Sequence, residues 1–315
     1  MGNVSGTGTM FNTNNYAGDL FTADAINTPF LNMIGGLKKG GNVTKNREFA
    51  ISSQVSYPNA SQPAISETAS LTAPTAITYT RDQSTNVTQT FQEKISLSYD
   101  NLANSGRLSG LNTAGQQNNI PSEKDFQTAS ALKKIARDIE YTCLNGVYQL
   151  ASNSSQADKT RGMISLCSTG NTVAGGGVSN SKDLMDTLFR MMYSNGASFE
   201  NIVIWVNAYQ KQVLSSIYGY APTDRNVGGV NIKQIETDFG TFGIALNRFM
   251  PTDTLLVAEM SAITPITMEI PEKGNFFYEE LAKVGASEEG QIFGKFGLDH
   301  APSFLHGTVT GLKAS

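Results

Sequence analysis

Histidine, cysteine and tryptophan are nearly missing from this chain of 315 residues, which has two histidines, two cysteines and one tryptophan. His300 and His306 are thus the sole candidates for an imidazole-based mechanism. Cys143 and Cys167 stand outside any Cys-x-x-Cys or Cys/His pattern that would signal zinc or a redox couple. No cofactor or metal is expected, and Cys143 reads as a small core hydrophobe. Charged residues make up only 16% of the chain, with a formal net charge of −4 and no run of lysine or arginine. The basic footprint that binds nucleic acid by counterion release is therefore lacking, and direct DNA recognition is not expected. No stretch reaches the roughly eighteen consecutive apolar residues of a membrane span. Nor does the N-terminus show the basic-then-apolar order of a secretory signal, so synthesis in a reducing cytoplasm, away from membranes, is the default.

What the chain does have is glycine, asparagine, serine and threonine, a composition that favours strands, turns and loops over helical bundles. One long helix stands out against it. Over residues 122–150, Ser122 and Asp125 resemble a capping box behind Pro121. Ala129, Leu132, Ile135, Ile139, Cys143, Gly146 and Leu150 then recur every three or four positions. Lys133, Lys134, Arg137, Asp138 and Glu140 read as its solvated remainder. At about 1.5 Å per residue such a helix is roughly 43 Å long, a spine for the rest of the fold.

Ahead of it, residues 1–22 are too sparse in apolar groups to build a core and read as an arm. It leads into a short apolar plug, Thr28-Pro29-Phe30-Leu31, with proline at the first helical position and Gly35 or Gly36 as terminator. Alternation over 43–57 (Val43, Phe49, Ile51, Val55, Tyr57) and again from Ile77 and Tyr79 to Tyr99 predicts a long hairpin. Its tip, residues 58–74, is rich in proline, serine and alanine. After the spine, Gly175-Gly176-Gly177 lacks the strand and Lys-Ser/Thr of a phosphate loop and reads as a flexible connection. Ser181 caps a helix, residues 202–206 form a buried strand, 208–218 another helix, and 229–238, 242–248 and 254–259 strands of one sheet. Strands resume over 266–270, 291–298 and 307–311.

Chemistry is sparse. Asp299, His300 and Ser303 are the residue types of a hydrolase triad, but sequence neighbours rarely meet in that geometry and no Gly-x-Ser-x-Gly elbow exists, so the segment reads as a surface loop. Glu279-Glu280 and Glu288-Glu289 point apart on any regular element and read as solvated charges.

Several stretches together resemble one family, the major capsid proteins of tailed bacteriophages with the Hong Kong 97-type fold. They are the plug Thr28-Pro29-Phe30-Leu31 with Ile34-Gly35; Asn86-Val87-Thr88-Gln89 with Phe91; Arg137-Asp138-Ile139-Glu140 with Leu144-Asn145-Gly146; Thr160-Arg161-Gly162-Met163; Glu236-Thr237-Asp238-Phe239-Gly240; and Leu246-Asn247-Arg248-Phe249-Met250-Pro251. The resemblance spans nearly the whole chain in order, though no single motif decides it.

It implies an α+β fold divided into an N-terminal arm (1–41), an extended loop (42–85), a peripheral domain with the spine helix (86–160), an axial α/β domain (161–262) and C-terminal strands returning to both (263–315). It further implies pentamers and hexamers in an icosahedral shell enclosing double-stranded DNA, a virion location after synthesis in the bacterial cytoplasm, and no catalysis. Expected partners are other copies of the chain, with portal, scaffolding and decoration proteins. Many relatives carry a scaffolding segment ahead of the arm, and the short stretch before Thr28 implies that scaffolding is a separate protein here. Phe30, Lys45, Arg47, Phe49, Ile51, Tyr57, Glu67 and Tyr79 are the expected inter-subunit contacts, with Arg47 and Glu67 as charged ones. Some members cross-link through a Lys-Asn bond, but no motif marks Lys45 as its donor. The alternatives are an encapsulin-like shell holding a cargo enzyme and a hydrolase using His300 or His306.

Overall fold

The computed structural model describes residues 27–36, 42–51, 54–55, 57, 59–103, 122–218 and 233–314. Most of the arm therefore lies outside the described residues, as does much of the stretch between the hairpin and the spine.

The plug forms a single turn of helix, α1 (Pro29–Met33), with Pro29 in the first turn and Gly35 and Gly36 at positive φ behind it. The strand expected over 43–57 is three pieces, β1 (Asn42–Thr44), β2 (Glu48–Ala50) and β3 (Gln54–Val55). A short exposed helix, α2 (Glu67–Ser70), is capped by Ser66, whose hydroxyl accepts from the Ala69 amide. The return limb is β4 (Arg81–Asp82), β5 (Thr85–Val87) and β6 (Gln89–Ser98), followed by α3 (Tyr99–Ala103).

The spine, α4, runs Glu123–Asn145, with Ser122 accepting from the Asp125 amide at its cap. At 1.5 Å per residue its 23 residues span about 35 Å, one to two turns less than the periodicity predicts. The reason is a backbone contact. Gly146 lies so close to the segment 160–162 that a Cβ on it would sit 2.5 Å from the Thr142 and Thr160 carbonyls. The chain leaves the helix axis there, and Gln149 pairs with Lys159.

Then follow α5 (Met163–Cys167), β7 (Asn171–Ala174), α6 (Lys182–Ser194, capped by Ser181), β8 (Ile202–Val206) and α7 (Ala208–Tyr218). The remaining strands are β9 (Gln234–Thr237), β10 (Gly240–Leu246), β11 (Leu255–Glu259), β12 (Thr264–Met268), β13 (Phe276–Glu280), β14 (Ser287–Asp299) and β15 (Gly307–Thr310).

Two sheets organise these elements. In the five-stranded sheet, β14 is long enough to pair with β6 along one edge and with both β12 and β13 along the other, while β1 joins β12 in parallel. That pairing takes β1 away from the hairpin and leaves Val43 exposed, contrary to its place in the predicted alternation. The six-stranded sheet has the order β7-β15-β11-β8-β10-β9.

The continuous apolar run of β8 follows from its central position, buried on both faces. Ile202, Ile204 and Val206 meet Met185, Leu188, Phe189 and Met192 of α6 in one core. Val203 and Trp205 face the other, which holds Phe30, Leu31 and Ile34 of the plug, Ile135, Ile139, Cys143 and Leu144 of α4, and Phe91, Ile95, Ile292 and Phe296 of the five-stranded sheet. The socket that the plug requires is thus in its own subunit. The Phe30 ring meets the Trp205 ring edge-on, with centroids 5.3 Å apart.

Candidate assembly surfaces

Beyond its root the hairpin is a surface without a core. β2 pairs antiparallel with β5 and β3 with β4, and every residue from 59 to 80 is exposed. Leu71 is 84% and Tyr57 72% exposed, and Ile65, Ile77 and Tyr79 share that condition. Tyr57 and Tyr79 face each other across the limbs at 5.4 Å, so the apolar groups keep company within the tip without being covered. Glu67 opens α2 at the far end, and Lys45 is exposed in the turn before β2.

The root is fastened to the body. Phe49 and Ile51, expected to need a neighbouring subunit, are buried with Ile266 in a small core of their own. The Phe49 ring lies where Gly297 has no side chain, since a Cβ there would come within 2.6 Å of it. Arg47 reaches the body by Nε to Asp158 at 3.4 Å and by Nη2 donating to the Ala151 carbonyl at 3.1 Å. Phe30, Phe49 and Ile51 are thus intrasubunit core, and Arg47 an anchor of the hairpin to its own body. Tyr57, Glu67, Tyr79 and Lys45 remain free surface.

At this root the stretches 86–89, 144–146 and 160–163 converge. Asn86 is wholly buried: its Oδ1 accepts from the amides of Val87 and Arg161, and its Nδ2 donates to the Leu298 carbonyl at 2.8 Å. Gln89 Oε1 accepts from the Thr160 amide, and the Gly162 amide donates to the Gly146 carbonyl at 2.9 Å. Arg161 stacks on the Tyr148 ring at 4.7 Å. A polar cleft of about 210 Å³ opens between Asp82 and Ser84 of the hairpin and Arg161, Thr169 and Ser303 of the body.

A second node was misread in sequence. Glu140, assigned to the solvated side of the spine, is fully buried. Its Oε1 accepts from the Phe30 amide at 2.9 Å and from Asn247 Nδ2, and its Oε2 from the Leu31 amide at 2.7 Å. Burial holds its carboxyl above the usual range against the pull of those three bonds. No local sequence signal marks this role, because its donors lie 107–110 residues away in the chain. Leu132 errs the other way. It shares that face, yet it is 42% exposed, since the fully buried residues of α4 begin only at Ile135.

The histidines are not on a surface loop. Both are buried, and Asp299 Oδ1 accepts from the Ala301 amide. His300 Nδ1 donates to the Ala301 carbonyl at 2.8 Å. His306 Nδ1 accepts from the Glu259 amide and its Nε2 donates to the His300 carbonyl at 2.7 Å. No triad forms. The acidic pairs are likewise tied up in ion pairs: Lys124 bridges Glu280 at 2.9 Å and Glu288 at 3.3 Å, Lys94 meets Glu289, and Lys273 meets Glu279. Among the described residues no group of three or more His, Cys, Asp or Glu side chains is placed to hold a metal, and no helix is long and apolar enough to cross a membrane.

The model of the SU10 major capsid protein family matches residues 3–313. The chain belongs to this family. No curated protein matches it in sequence. Among solved structures, the capsid asymmetric unit of cyanophage A-1(L) superposes with a TM-score of 0.66 at 12% identity, covering 96% of this chain and 97% of that one. Mycobacterium phage Che8 gives 0.55 at 14% identity, covering 95% and 97%. The holo-SrpI encapsulin complex of Synechococcus elongatus PCC 7942 gives 0.57 at 10%, covering 95% and 94%. At such identities these matches establish the fold, which is Hong Kong 97-type. With the family they make this SU10-family chain a major capsid protein, a self-assembling subunit of a bacteriophage shell whose role is structural.

Proposed function

We propose that the chain assembles as pentamers and hexamers into the icosahedral shell of a tailed phage, holding packaged double-stranded DNA without reading its sequence. The observation that carries the assembly mode is the hairpin tip. A two-stranded ribbon is marginal in water, and this one exposes Tyr57, Ile65, Leu71, Ile77 and Tyr79 beyond a root that is packed and bonded to the body. Such a surface suits a cover supplied by another copy, and Leu132, exposed on α4, is an apolar group that such a copy can meet. The net charge of −4 favours loose contact between wall and genome.

In this reading residues 1–41 form the arm, 42–85 the extended loop, 86–160 the peripheral domain, 161–262 the axial domain and 263–315 the returning strands. Lys45, Tyr57, Glu67 and Tyr79 make contacts between subunits. Portal, scaffolding and decoration proteins are its further partners, and synthesis is in the host cytoplasm. An encapsulin-like compartment shares the fold, but the family match favours the phage shell.

Limited proteolysis tests the loop's role. Free subunits should be cut first within residues 59–74, and assembled particles should resist at those sites. Equal cutting in both states would show that the loop does not bridge subunits.

A further inference from the structure

A helix of five residues has no stability of its own, because nucleation fixes several residues for the sake of one hydrogen bond. α1 is such a helix, and its own cap residue, Thr28, makes no side-chain bond to it. The cap comes from another part of the chain. The carboxylate of Glu140, about 110 positions away, takes the free amides of Phe30 and Leu31. Those amides form the positive end of the turn, where an anion is favoured.

The same carboxylate accepts from Asn247, which follows β10 and is itself fixed by donating its amide to the Val206 carbonyl and accepting from the Phe249 amide. Three bodies therefore meet at one group: the plug, the spine that lies on the five-stranded sheet, and the end of a strand of the six-stranded sheet. Among the described residues no cation lies within ion-pair distance of Glu140, so its charge is held by dipoles alone. Desolvation opposes the bonds that hold α1, while burial of Phe30 and Leu31 favours them.

We propose that α1 is a releasable latch, a two-state element that folds only when docked on Glu140 and can undock while both sheets remain folded. Docked, it closes the core between α4 and β8 and ties the two sheets together at Glu140 and Asn247. Undocked, it releases residues 27–36 from the core and removes the plug's share of that tie, so a shift of one sheet against the other is transmitted to α1 through this carboxylate.

Hydrogen exchange on the full free chain, read by peptide mass spectrometry, decides the matter. In the native protein, peptides spanning 27–36 should exchange at least about tenfold faster than those spanning 135–145 and 202–206, as expected of a locally opening unit. Glu140→Gln puts an amide NH₂ against one of the three donors. It should accelerate 27–36 by a further ten- to a hundredfold or so, the range for losing a charge-assisted bond, with the α4 and β8 peptides little changed. Asn247→Ala leaves the carboxylate on α1 and removes one support; it should give a smaller acceleration confined to 27–36, and it serves if the glutamine variant does not fold. Exchange of 27–36 in step with α4 and β8, in the native chain and in whichever variant folds, would make α1 a fixed part of the core and overturn the proposal.

Discussion

Replacing Gly162 with alanine should damage the subunit more than its single added methyl suggests. A Cβ at this position would lie 2.5 Å from the Gly146 amide nitrogen, 2.7 Å from the Thr142 carbonyl oxygen and 3.0 Å from the Cys143 carbonyl oxygen. All three are backbone atoms of the end of α4, so no side chain can swing aside. To admit the methyl, the 160–163 segment must move away from the helix, stretching the 2.9 Å bond from the Gly162 amide to the Gly146 carbonyl. It would also disturb the neighbouring contacts of Thr160 and Arg161 with Gln89 and Asn86. Overpacking costs about 1–3 kcal/mol, and a weakened internal hydrogen bond adds about 1 kcal/mol. At roughly 1.5 °C per kcal/mol, from about 2.1 cal/mol/K of unfolding entropy per residue, the melting temperature should fall by about 3–6 °C. Gly243→Ala is the control, since its Cβ would meet only Val203 Cγ2 at 3.6 Å and the Ile202 carbonyl at 3.7 Å, ordinary contacts. Thermal unfolding of free subunits followed by circular dichroism reads both. Gly162→Ala melting within a degree or so of the parent, or Gly243→Ala proving the worse of the two, would refute the close-approach argument.

Ile139→Ala should cost about 2–5 kcal/mol in a denaturant titration, because the side chain is 0% exposed, whereas half-exposed Leu132→Ala should cost well under that and act on assembly instead. Arg47→Glu faces Asp158 with a like charge; its side chain is half-exposed, so stability should change by no more than about 1 kcal/mol, while cleavage at the hairpin root of free subunits should increase. Stability should also fall on mild acidification. Both ring nitrogens of His306 are committed in its neutral form, and burial pushes its pKa down to about 4 from an ordinary 6.5. A depressed histidine pKa means that the unfolded chain takes up a proton the native state refuses, so this stability is full above about pH 6.5 and declines toward pH 4. His300, lowered by burial as well, adds in the same direction. Glu140, whose pKa is raised, acts oppositely, its contribution being lost as pH rises through its folded value. A denaturation midpoint that rises between pH 7 and pH 5 would contradict the histidine assignment.

Local signals proved legible where one chemical event decides them. Ser122, Ser181 and Pro29 start helices because each supplies or removes a single hydrogen bond at a helix end, and the residues that do so sit within three positions of it. The run of β8 told of burial on both faces because nothing polar interrupts it. The end of α4 was not legible in the same way. Gly146 lies on the periodic face and breaks no pattern, and what stops the helix is a segment that arrives from 160–162. Glu140 escaped for a related reason. A carboxylate at helical spacing reads as solvent-facing unless its donors are known, and its donors are two amides about 110 residues earlier and an asparagine 107 residues later. The motif residues Asn86, Gln89 and Thr160 carried the family resemblance without revealing that they bond at one root.

The hairpin shows where alternation stops being informative. Period two states that one face of a strand is covered, without saying which molecule covers it. Phe49 and Ile51 satisfy it inside the subunit, on Ile266 and beside Gly297, because the strands at the root are within reach of β12 and β14. Past Val55 and Arg81 the ribbon has left both sheets, and the described residues of its own chain offer Tyr57 and Tyr79 only each other. The division between root and tip is therefore set by reach rather than by residue type. Substitutions at the root, such as Phe49→Ala, should act on the free subunit, and substitutions at the tip, such as Leu71→Ser, should leave its melting unchanged and act on particle yield alone. A Leu71→Ser chain that melts early as a free subunit would place a partner for that side chain within its own molecule, and the apolar tip would then cease to argue for contact between copies.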